Sequence, residues 1–179
     1  MTIEQRIIEA RKNENSKWHK PKIGIYHASQ IYDICQYPDR IARDFFKEQN
    51  LSDQTIITFA IGQMYHDFIQ SFYPKECKEK KISIEIDGCK IIGRVDLLLD
   101  NIPCELKTCS EFPKKPYESH IYQLMCYLHA LQLQEGIISY IKKDPRSFQT
   151  KNYRVKYDNK TMELIIKKVI EFDNKLKSL

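Results

Sequence analysis

An α+β or α/β sandwich in a single domain is the fold class that the sequence predicts, and two observations predict it. Stretches with apolar residues at i, i+3 and i+4 are interspersed with short stretches that are β-branched or that alternate apolar and polar residues, the patterns of amphipathic helices and of strands. The chain has 179 residues and contains no internal repeat, low-complexity stretch or linker rich in Pro, Gly or Ser, as is typical of one domain of ordinary size. We therefore expect one fold and one functional site.

Helices and strands can be placed along the whole chain. Helices are predicted at residues 2–13, 38–49, 56–72, 117–133 and 159–177. Strands are predicted at residues 82–86, 89–100, 102–108, 136–141 and 152–157. The expected domain, 1–179, then divides into an N-terminal helical region at 1–50, a core at about 55–130, and a C-terminal strand and helix at 152–179.

The composition limits the kind of protein. The formal net charge is +5 and the pI is about 8.8, a basic balance that suits a polyanionic partner such as DNA. No apolar run reaches the length of about eighteen residues that a membrane helix needs, and the N-terminal stretch lacks the apolar segment of a signal peptide. We expect a cytoplasmic protein that does not bind membranes.

A hairpin turn is predicted at Asp100-Asn101, a dipeptide that is typical of two-residue loops. A loop of this length fixes the register of the two strands that it joins. One face of the hairpin is apolar in this register, and its facing pairs are Val95 with Leu106, Leu97 with Cys104, and Leu99 with Ile102.

The opposite face of the predicted hairpin carries like charges at facing positions. Arg94 lies opposite Lys107 and Asp96 lies opposite Glu105, and like charges with Cβ atoms about 5 Å apart destabilise a strand pair. A divalent cation between the two carboxylates would remove this repulsion, because hard cations such as Mg²⁺ take oxygen ligands. The alternative is a solvated strand face that tolerates the repulsion.

Two predicted helices carry further candidates. Gly62 lies inside a helix, where a glycine costs about 1 kcal/mol relative to alanine and indicates the close approach of another element. One turn later, His66 is either a third metal ligand or an ordinary core or surface histidine. Gln123 and Tyr127 are four residues apart and share a helix face with His120, either as a functional polar stripe or as an ordinary amphipathic face.

These pieces occur along the chain as GxxxH at 62–66, GRVD at 93–96, ELK at 105–107 and QLMCY at 123–127. In this order the chain resembles the RecB-like branch of the PD-(D/E)XK nucleases over roughly residues 29–130. It is similar to the small members of that branch, which include the CRISPR-associated adaptation nucleases and virus-encoded relatives. The resemblance implies a restriction-endonuclease-like fold, in which a mixed β-sheet is flanked by helices.

The resemblance also implies roles for individual residues. Lys107 corresponds to the lysine that orients or activates the attacking water. Gln123 and Tyr127 match the motif that helps to position the scissile strand. The ligands of Mg²⁺ or Mn²⁺ correspond to His66, Asp96 and Glu105.

The implied function is a metal-dependent DNA nuclease that hydrolyses phosphodiester bonds, as an exonuclease or an endonuclease, on single-stranded DNA or DNA ends. Lys114 and Lys115 lie between the ELK strand and the following helix, where they either contact backbone phosphates or belong to a solvated loop. Two alternatives stay open. One is a structure-specific endonuclease that acts as a dimer, which is the homo-oligomer considered for this chain, and the other is a catalytically silent nuclease-fold protein that binds nucleic acid.

The cysteines argue against a metal cluster. The six cysteines are scattered without a CxxC pair, which is poor spacing for zinc and unlike a disulfide framework, so we expect reduced thiols. Many members of the resembled branch bind an iron–sulfur cluster through one cysteine before the nuclease core and three after it. Cys35 resembles the leading cysteine, but no cysteine follows Cys126. An iron–sulfur cluster needs four thiolates within reach, so none is expected here.

Overall fold

The computed structural model describes residues 2–15, 21–47, 51–144 and 146–179. These residues form six α-helices and six β-strands. The helices are α1 (Ile3–Asn15), α2 (Ile31–Gln36), α3 (Pro38–Asp44), α4 (Asp53–Ser71), α5 (Glu118–Leu131) and α6 (Asn159–Lys177). The strands are β1 (Ile25–His27), β2 (Lys78–Ile86), β3 (Cys89–Leu99), β4 (Ile102–Cys109), β5 (Glu135–Lys142) and β6 (Thr150–Lys156). None of the helices in these ranges is long and apolar enough to span a bilayer.

All six strands belong to one mixed sheet, in the order β1-β3-β4-β5-β6, with β2 also paired to β3. The pairs β1–β3 and β4–β5 are parallel, whereas β2–β3, β3–β4 and β5–β6 are antiparallel. This sheet with its flanking helices has the predicted architecture.

The central strand β3 has an interruption along one of its edges. Strand β2 is the only described strand along one edge of β3, where it pairs with residues from Cys89 to Leu97. The other edge is shared, because β1 pairs only with residues 90–92 and β4 pairs only with residues 97–99. Residues 93–96 therefore lie in a gap between β1 and β4, and we call these four residues the β3 gap.

The predicted hairpin turn is present, and its register is correct next to the turn. Asp100 and Asn101 have φ angles of 49° and 63°, the left-handed conformation that a two-residue hairpin loop of this type requires at both positions. The ladder contains the two predicted pairs nearest the turn, Leu97 with Cys104 and Leu99 with Ile102, and Leu98 pairs with Pro103 between them.

The three predicted pairs farther from the turn are wrong. The β3–β4 ladder stops at Leu97, so Val95 does not face Leu106, Asp96 does not face Glu105, and Arg94 does not face Lys107. Arg94 instead pairs with Lys81 of β2, and its guanidinium binds Glu79 at 3.0 Å. The cause lies at the β3 gap, where the backbone N–H of Leu106 donates to the side chain of Asp96 at 2.8 Å rather than to a backbone carbonyl of β3.

Two hydrophobic clusters hold the sheet and the helices together. The larger cluster takes in α2, α5, α6 and most of the sheet, with Tyr26, Tyr127, Tyr140 and Phe172 among its largest buried side chains. In the smaller cluster, Leu97, Cys104, Leu106 and Ile141 pack against Tyr65, Ile69 and Tyr73, in and just after α4. Helices α4 and α5 thus pack against the sheet through separate cores.

Several element boundaries differ from the predicted ones. The helix predicted at 38–49 ends at Asp44, while its last two residues, 48 and 49, lie outside the described residues. Helix α4 begins three residues earlier than predicted, because the Ser52 hydroxyl caps it by accepting from Thr55 N at 3.2 Å. Strand β1 and helix α2 were not predicted, since three and six residues are too few to carry a periodic signal.

Candidate active site

Two helices reach the β3 gap through side chains that bind its carbonyl groups. The Tyr127 hydroxyl of α5 donates to the carbonyl of Arg94 at 2.9 Å. The Gln70 amide of α4 donates to the carbonyl of Asp96 at 3.0 Å. Backbone carbonyls that are shielded from solvent need hydrogen-bond donors, and side chains bind these two partly buried carbonyls where a neighbouring strand is missing. The gap therefore brings α4 and α5 together at Asp96.

The two carboxylate oxygens of Asp96 have different partners. Oδ2 accepts from the backbone N–H of Leu106 at 2.8 Å. Oδ1 lies 3.6 Å from Nδ1 of His66, and both side chains are about four-fifths buried, with 19% and 22% exposed. Burial is the largest single influence on the pKa of His66 and lowers it, but the nearby carboxylates of Asp96 and Glu105 outweigh burial and raise the pKa above its usual value.

Glu105 is a carboxylate in the interior of the protein with only one oxygen bound. Its side chain is 2% exposed, and Oε1 forms an ion pair with Nζ of Lys107 at 2.7 Å. Oε2 has no hydrogen-bond partner among the described residues. Burial raises the pKa of Glu105 to about 7, Asp96 adds to the rise, and Lys107 opposes it. An unpartnered carboxylate oxygen in the interior is costly and calls for a ligand.

Lys107 is held by a chain of side chains that runs to α5. Its Nζ donates to Oε1 of Gln123 at 3.1 Å, and Nε2 of Gln123 donates to the Tyr127 hydroxyl at 2.7 Å. Burial raises the pKa of Tyr127, so its phenol stays protonated and can donate to the carbonyl of Arg94. The amide of Gln123 is thereby fixed with its oxygen toward Lys107.

The donor set suits a divalent cation, although its atoms are not drawn tightly together. Two carboxylates and an imidazole are ligand types that Mg²⁺ and Mn²⁺ take, with waters and substrate phosphates completing the shell. The free oxygen of Glu105 and Oδ1 of Asp96 are available for such a cation. Within the described residues no three His, Cys, Asp or Glu side chains are already grouped as a metal site. The residues present therefore fit a cation that shares its coordination with solvent or substrate.

Several solved structures, exonucleases among them, have a similar fold. The chain superposes on the crystal structure of SSO0001 with a TM-score of 0.71 at 20% identity, over 98% of this chain and 87% of that one. On the alkaline exonuclease LHK-Exo of Laribacter hongkongensis in complex with dAMP, the TM-score is 0.59 at 17% identity, over 97% and 93% of the two chains. For a phage-related exonuclease from Haemophilus somnus 129PT the TM-score is 0.57 at 10% identity, over 86% and 95%.

The chain has the restriction-endonuclease-like fold that the resemblance in its sequence implied. At these identities the likeness concerns the fold. No protein-family model matches the chain, and no curated protein matches it in sequence.

The nuclease fold brings together most of the residues that the sequence analysis singled out. Asp96 and Glu105 lie in one electrostatically coupled group, with His66 and Lys107 as their direct neighbours, and Gln123 and Tyr127 follow. Lys114 and Lys115 are not bonded to this group and lie in the exposed loop between β4 and α5. His120 faces Tyr140 rather than the carboxylates, with Nδ1 2.8 Å from the Tyr140 hydroxyl.

Sequence reasoning assigned no role to two residues of this site, Gln70 and Gly93. Gln70 binds the carbonyl of Asp96 from a position one turn after His66 on the same helix, a spacing that was visible in the sequence. Gly93 begins the β3 gap, and a glycine inside a strand is itself a signal of close approach. A Cβ at Gly93 would lie 2.9 Å from Cε1 of Tyr127 and 3.1 Å from Cβ of Ala28.

Gly93→Ala is expected to destabilise the protein and to impair the site, because the added methyl group would displace the Tyr127 ring. Overpacking of this kind costs typically about 1–3 kcal/mol. Gly62→Ala is the matched control. A Cβ there meets Oγ1 of Thr108 at an ordinary 3.6 Å, and alanine in a helix is favoured over glycine by about 1 kcal/mol. The midpoints of thermal and denaturant unfolding should be lower than in the wild type for Gly93→Ala and higher for Gly62→Ala. Equal stability of the Gly93→Ala variant and the wild type would contradict the contact with Tyr127.

Proposed function

We propose that the protein is a divalent-metal-dependent deoxyribonuclease that hydrolyses phosphodiester bonds at the β3 gap. The observation that carries the proposal is Glu105, a buried carboxylate whose second oxygen has no partner among the described residues while its first is bound to Lys107. A folded protein keeps such a group where a ligand satisfies it in the working state.

His66, Asp96 and Glu105 are the residues that would hold the metal, either Mg²⁺ or Mn²⁺. When bound, a cation of this kind polarises a phosphoryl oxygen and neutralises charge that develops in the transition state. The protein's own contribution is to present oxygen ligands of fixed position. The bond from Leu106 N holds one oxygen of Asp96 and leaves the other directed to His66.

Lys107 acts as a positively charged donor beside the attacking water. Its ammonium forms an ion pair with the Glu105 carboxylate, and 25% of its side chain is exposed. Its charge is therefore poorly screened by solvent. Gln123 and Tyr127 position it, since they connect Lys107 to the backbone of β3 through a chain of hydrogen bonds. A charge in a fixed place stabilises a transition state without the cost of reorganising solvent.

DNA is the proposed substrate. Two of the structural neighbours are described as exonucleases, and one is bound to dAMP, a deoxynucleotide. The net charge of +5 favours a polyanion. Lys114 and Lys115 are exposed in the loop that follows β4 and are the proposed contacts to backbone phosphates.

A digestion series tests this function. End-labelled single-stranded and double-stranded DNA should be degraded with Mg²⁺ or Mn²⁺ and remain intact with EDTA. The pattern of labelled products from each end separates exonuclease from endonuclease activity. Degradation that continues in EDTA, or intact DNA with every metal, would rule out the proposed function.

Salt dependence tests the mode of binding. Phosphate contacts displace counterions, so the logarithm of the association constant K should fall linearly with the logarithm of the salt concentration. The slope should be about −0.7 for each phosphate contact to a single strand. The dissociation constant should change little between DNA sequences of equal length, because phosphates carry no sequence information. Titrations of a labelled oligonucleotide at several salt concentrations measure both quantities. Affinity that is independent of salt would contradict binding through the backbone.

A further inference from the structure

A cleft lies at the start of α5, the helix that carries Gln123 and Tyr127. Its volume is about 550 Å³, and it is lined by Tyr32 and by the segment from Pro113 to Ser119. The volume is large enough for a nucleotide, since pockets for small organic ligands begin at about 300 Å³. None of the residues assigned to metal binding or to the attacking water lines it.

The walls of the cleft are held in place by side chains of the sheet. The carbonyl of Pro113 accepts from Nζ of Lys151 at 3.3 Å and from the hydroxyl of Tyr153. The backbone N–H of Tyr117 donates to the hydroxyl of Tyr140 at 3.0 Å. A loop fixed at both ends in this way loses little further entropy when a ligand binds.

Two tyrosines give the cleft an aromatic surface. Tyr117 is 54% exposed, although its ring contacts those of His120 and Tyr140, with centroids 5.5 and 5.9 Å apart. Tyr32 packs edge-on against Tyr122, at 5.4 Å. An exposed ring that is held by its neighbours offers a face for a flat ligand at low entropic cost.

The rim of the cleft carries two positive charges. Lys114 and Lys115 are exposed and are not among the lysines that form ion pairs within the described residues. The one acidic residue of the lining, Glu118, accepts from the Tyr32 hydroxyl at 3.4 Å. Aromatic rings next to such lysines match a nucleotide, which combines a flat base with a phosphate.

The cleft is connected to the site through β5 and α5. Tyr140, which binds the backbone of Tyr117, is the ladder neighbour of Lys107. His120, in contact with the Tyr117 ring, lies one helical turn before Gln123. Its proximity to the site is also visible in its pKa, which burial, and then the charge of Lys107, lower to about 4.

We propose that this cleft binds one nucleotide of a single-stranded segment next to the cleaved phosphodiester, with the base stacked on Tyr117 and Tyr32 and a phosphate at Lys114 and Lys115. The inference rests on the proposed function and adds a subsite that holds the strand by a base rather than by its backbone alone. Stacking of this kind tolerates any base, since every base has a flat face.

Binding without hydrolysis tests the subsite. The full chain is titrated in EDTA into a labelled single-stranded oligonucleotide that carries 2-aminopurine, whose fluorescence is quenched by stacking. Tyr117→Ala should weaken binding by about tenfold to a hundredfold, the range that corresponds to removal of one stacked base, and should abolish the quench. Tyr117→Phe keeps the ring and should bind like the wild type. The matched control is Tyr37→Ala, a tyrosine of similar exposure, 48%, outside the cleft.

The lysines are tested by the same titration at several salt concentrations. Replacing Lys114 and Lys115 together with alanine should reduce the slope of log K against log salt by about 0.7 for each phosphate that the protein no longer binds. Replacing Lys160 and Lys167 of α6, which do not line the cleft, removes the same charge and should leave the slope nearly unchanged.

Three results of the binding titrations would overturn the subsite. In the first, the Tyr117→Ala variant binds the oligonucleotide and quenches 2-aminopurine as well as the wild type does. In the second, the wild type binds free dAMP as tightly as the oligonucleotide. In the third, the wild type does not bind the oligonucleotide. Failure of the nuclease function has a different signature, in which Tyr117-dependent binding in EDTA persists while no metal supports cleavage. Cleavage by wild type and Tyr117→Ala at equal rates and equal KM would instead leave the nuclease function intact and remove the subsite.

Discussion

Asp96→Asn is expected to abolish both metal binding and DNA cleavage while leaving the protein folded. Asparagine retains an oxygen that can accept from the backbone N–H of Leu106, which lies 2.8 Å from Oδ2 of Asp96 in the wild type. It lacks the negative charge by which a carboxylate holds a hard cation such as Mn²⁺. Calorimetric titration of Mn²⁺, cleavage of labelled DNA and thermal unfolding of the same preparation measure the three properties.

Asp96→Ala separates the structural part of this residue from its chemical part. Alanine leaves the N–H of Leu106, a residue that is 3% exposed, without its acceptor, and an unsatisfied buried donor costs about 1–3 kcal/mol. We therefore expect Asp96→Ala to lose stability as well as activity, and Asp96→Asn to lose activity alone. Mn²⁺ binding and cleavage at wild-type levels by Asp96→Asn would show that the metal site lies elsewhere.

Lys107→Met is expected to slow cleavage by about 10²–10⁴ while metal binding persists. The substitution removes the ammonium at 2.7 Å from Glu105 and the donor to Gln123, but removes no metal ligand. Loss of a positive charge beside the cation also removes a repulsion, so Mn²⁺ affinity should be unchanged or slightly higher. The comparison belongs at alkaline pH, because Lys107 lowers the pKa of Glu105 and its removal would let a proton compete with the metal.

Lys142→Met is the matched control for Lys107. Both side chains are 25% exposed and both form an ion pair, Lys142 with Glu111 at 3.3 Å. We expect only a small change in the cleavage rate of Lys142→Met, since it has no contact with the carboxylates at the β3 gap. A Lys107→Met enzyme that cleaves like this control would show that Lys107 has no part in the chemistry.

The parts of the fold that could be predicted are those encoded locally. Asp100-Asn101 is sufficient to specify the two-residue turn, and the turn specifies the three pairs next to it. Helix α6 was predicted with its observed bounds, because its apolar spacing is regular over 19 residues. Local chemistry and periodicity are enough in both places.

The end of the β3–β4 ladder could not be predicted from the hairpin alone. It depends on β1, a three-residue strand far away in sequence, which takes part of the same edge of β3. It also depends on Gln70 and Tyr127, which bind the carbonyls of Asp96 and Arg94 from two different helices. Contacts between segments this distant in sequence leave no periodic signal.

The sequence pointed to the residues of the candidate site through their types, but the geometry that it predicted for them was wrong. The predicted repulsion between facing Asp96 and Glu105 pointed to a cation, although the two residues do not face each other in the ladder. The structural evidence for a cation site is instead the burial of Glu105 and its unpartnered oxygen. The burial of Glu105 follows from the packing of α5 on the sheet, and a short acidic motif does not predict it.

Cleavage of end-labelled single-stranded DNA in Mn²⁺ by Glu105→Gln, next to the wild type, tests the central claim most directly. Glutamine has the shape of glutamate, can still accept from Lys107, and lacks the charge that the cation needs. We expect the wild type to degrade the DNA in Mn²⁺ but not in EDTA, and the folded Glu105→Gln variant to leave it intact in both. Degradation by Glu105→Gln at the wild-type rate would contradict the assignment of the β3 gap as the active site.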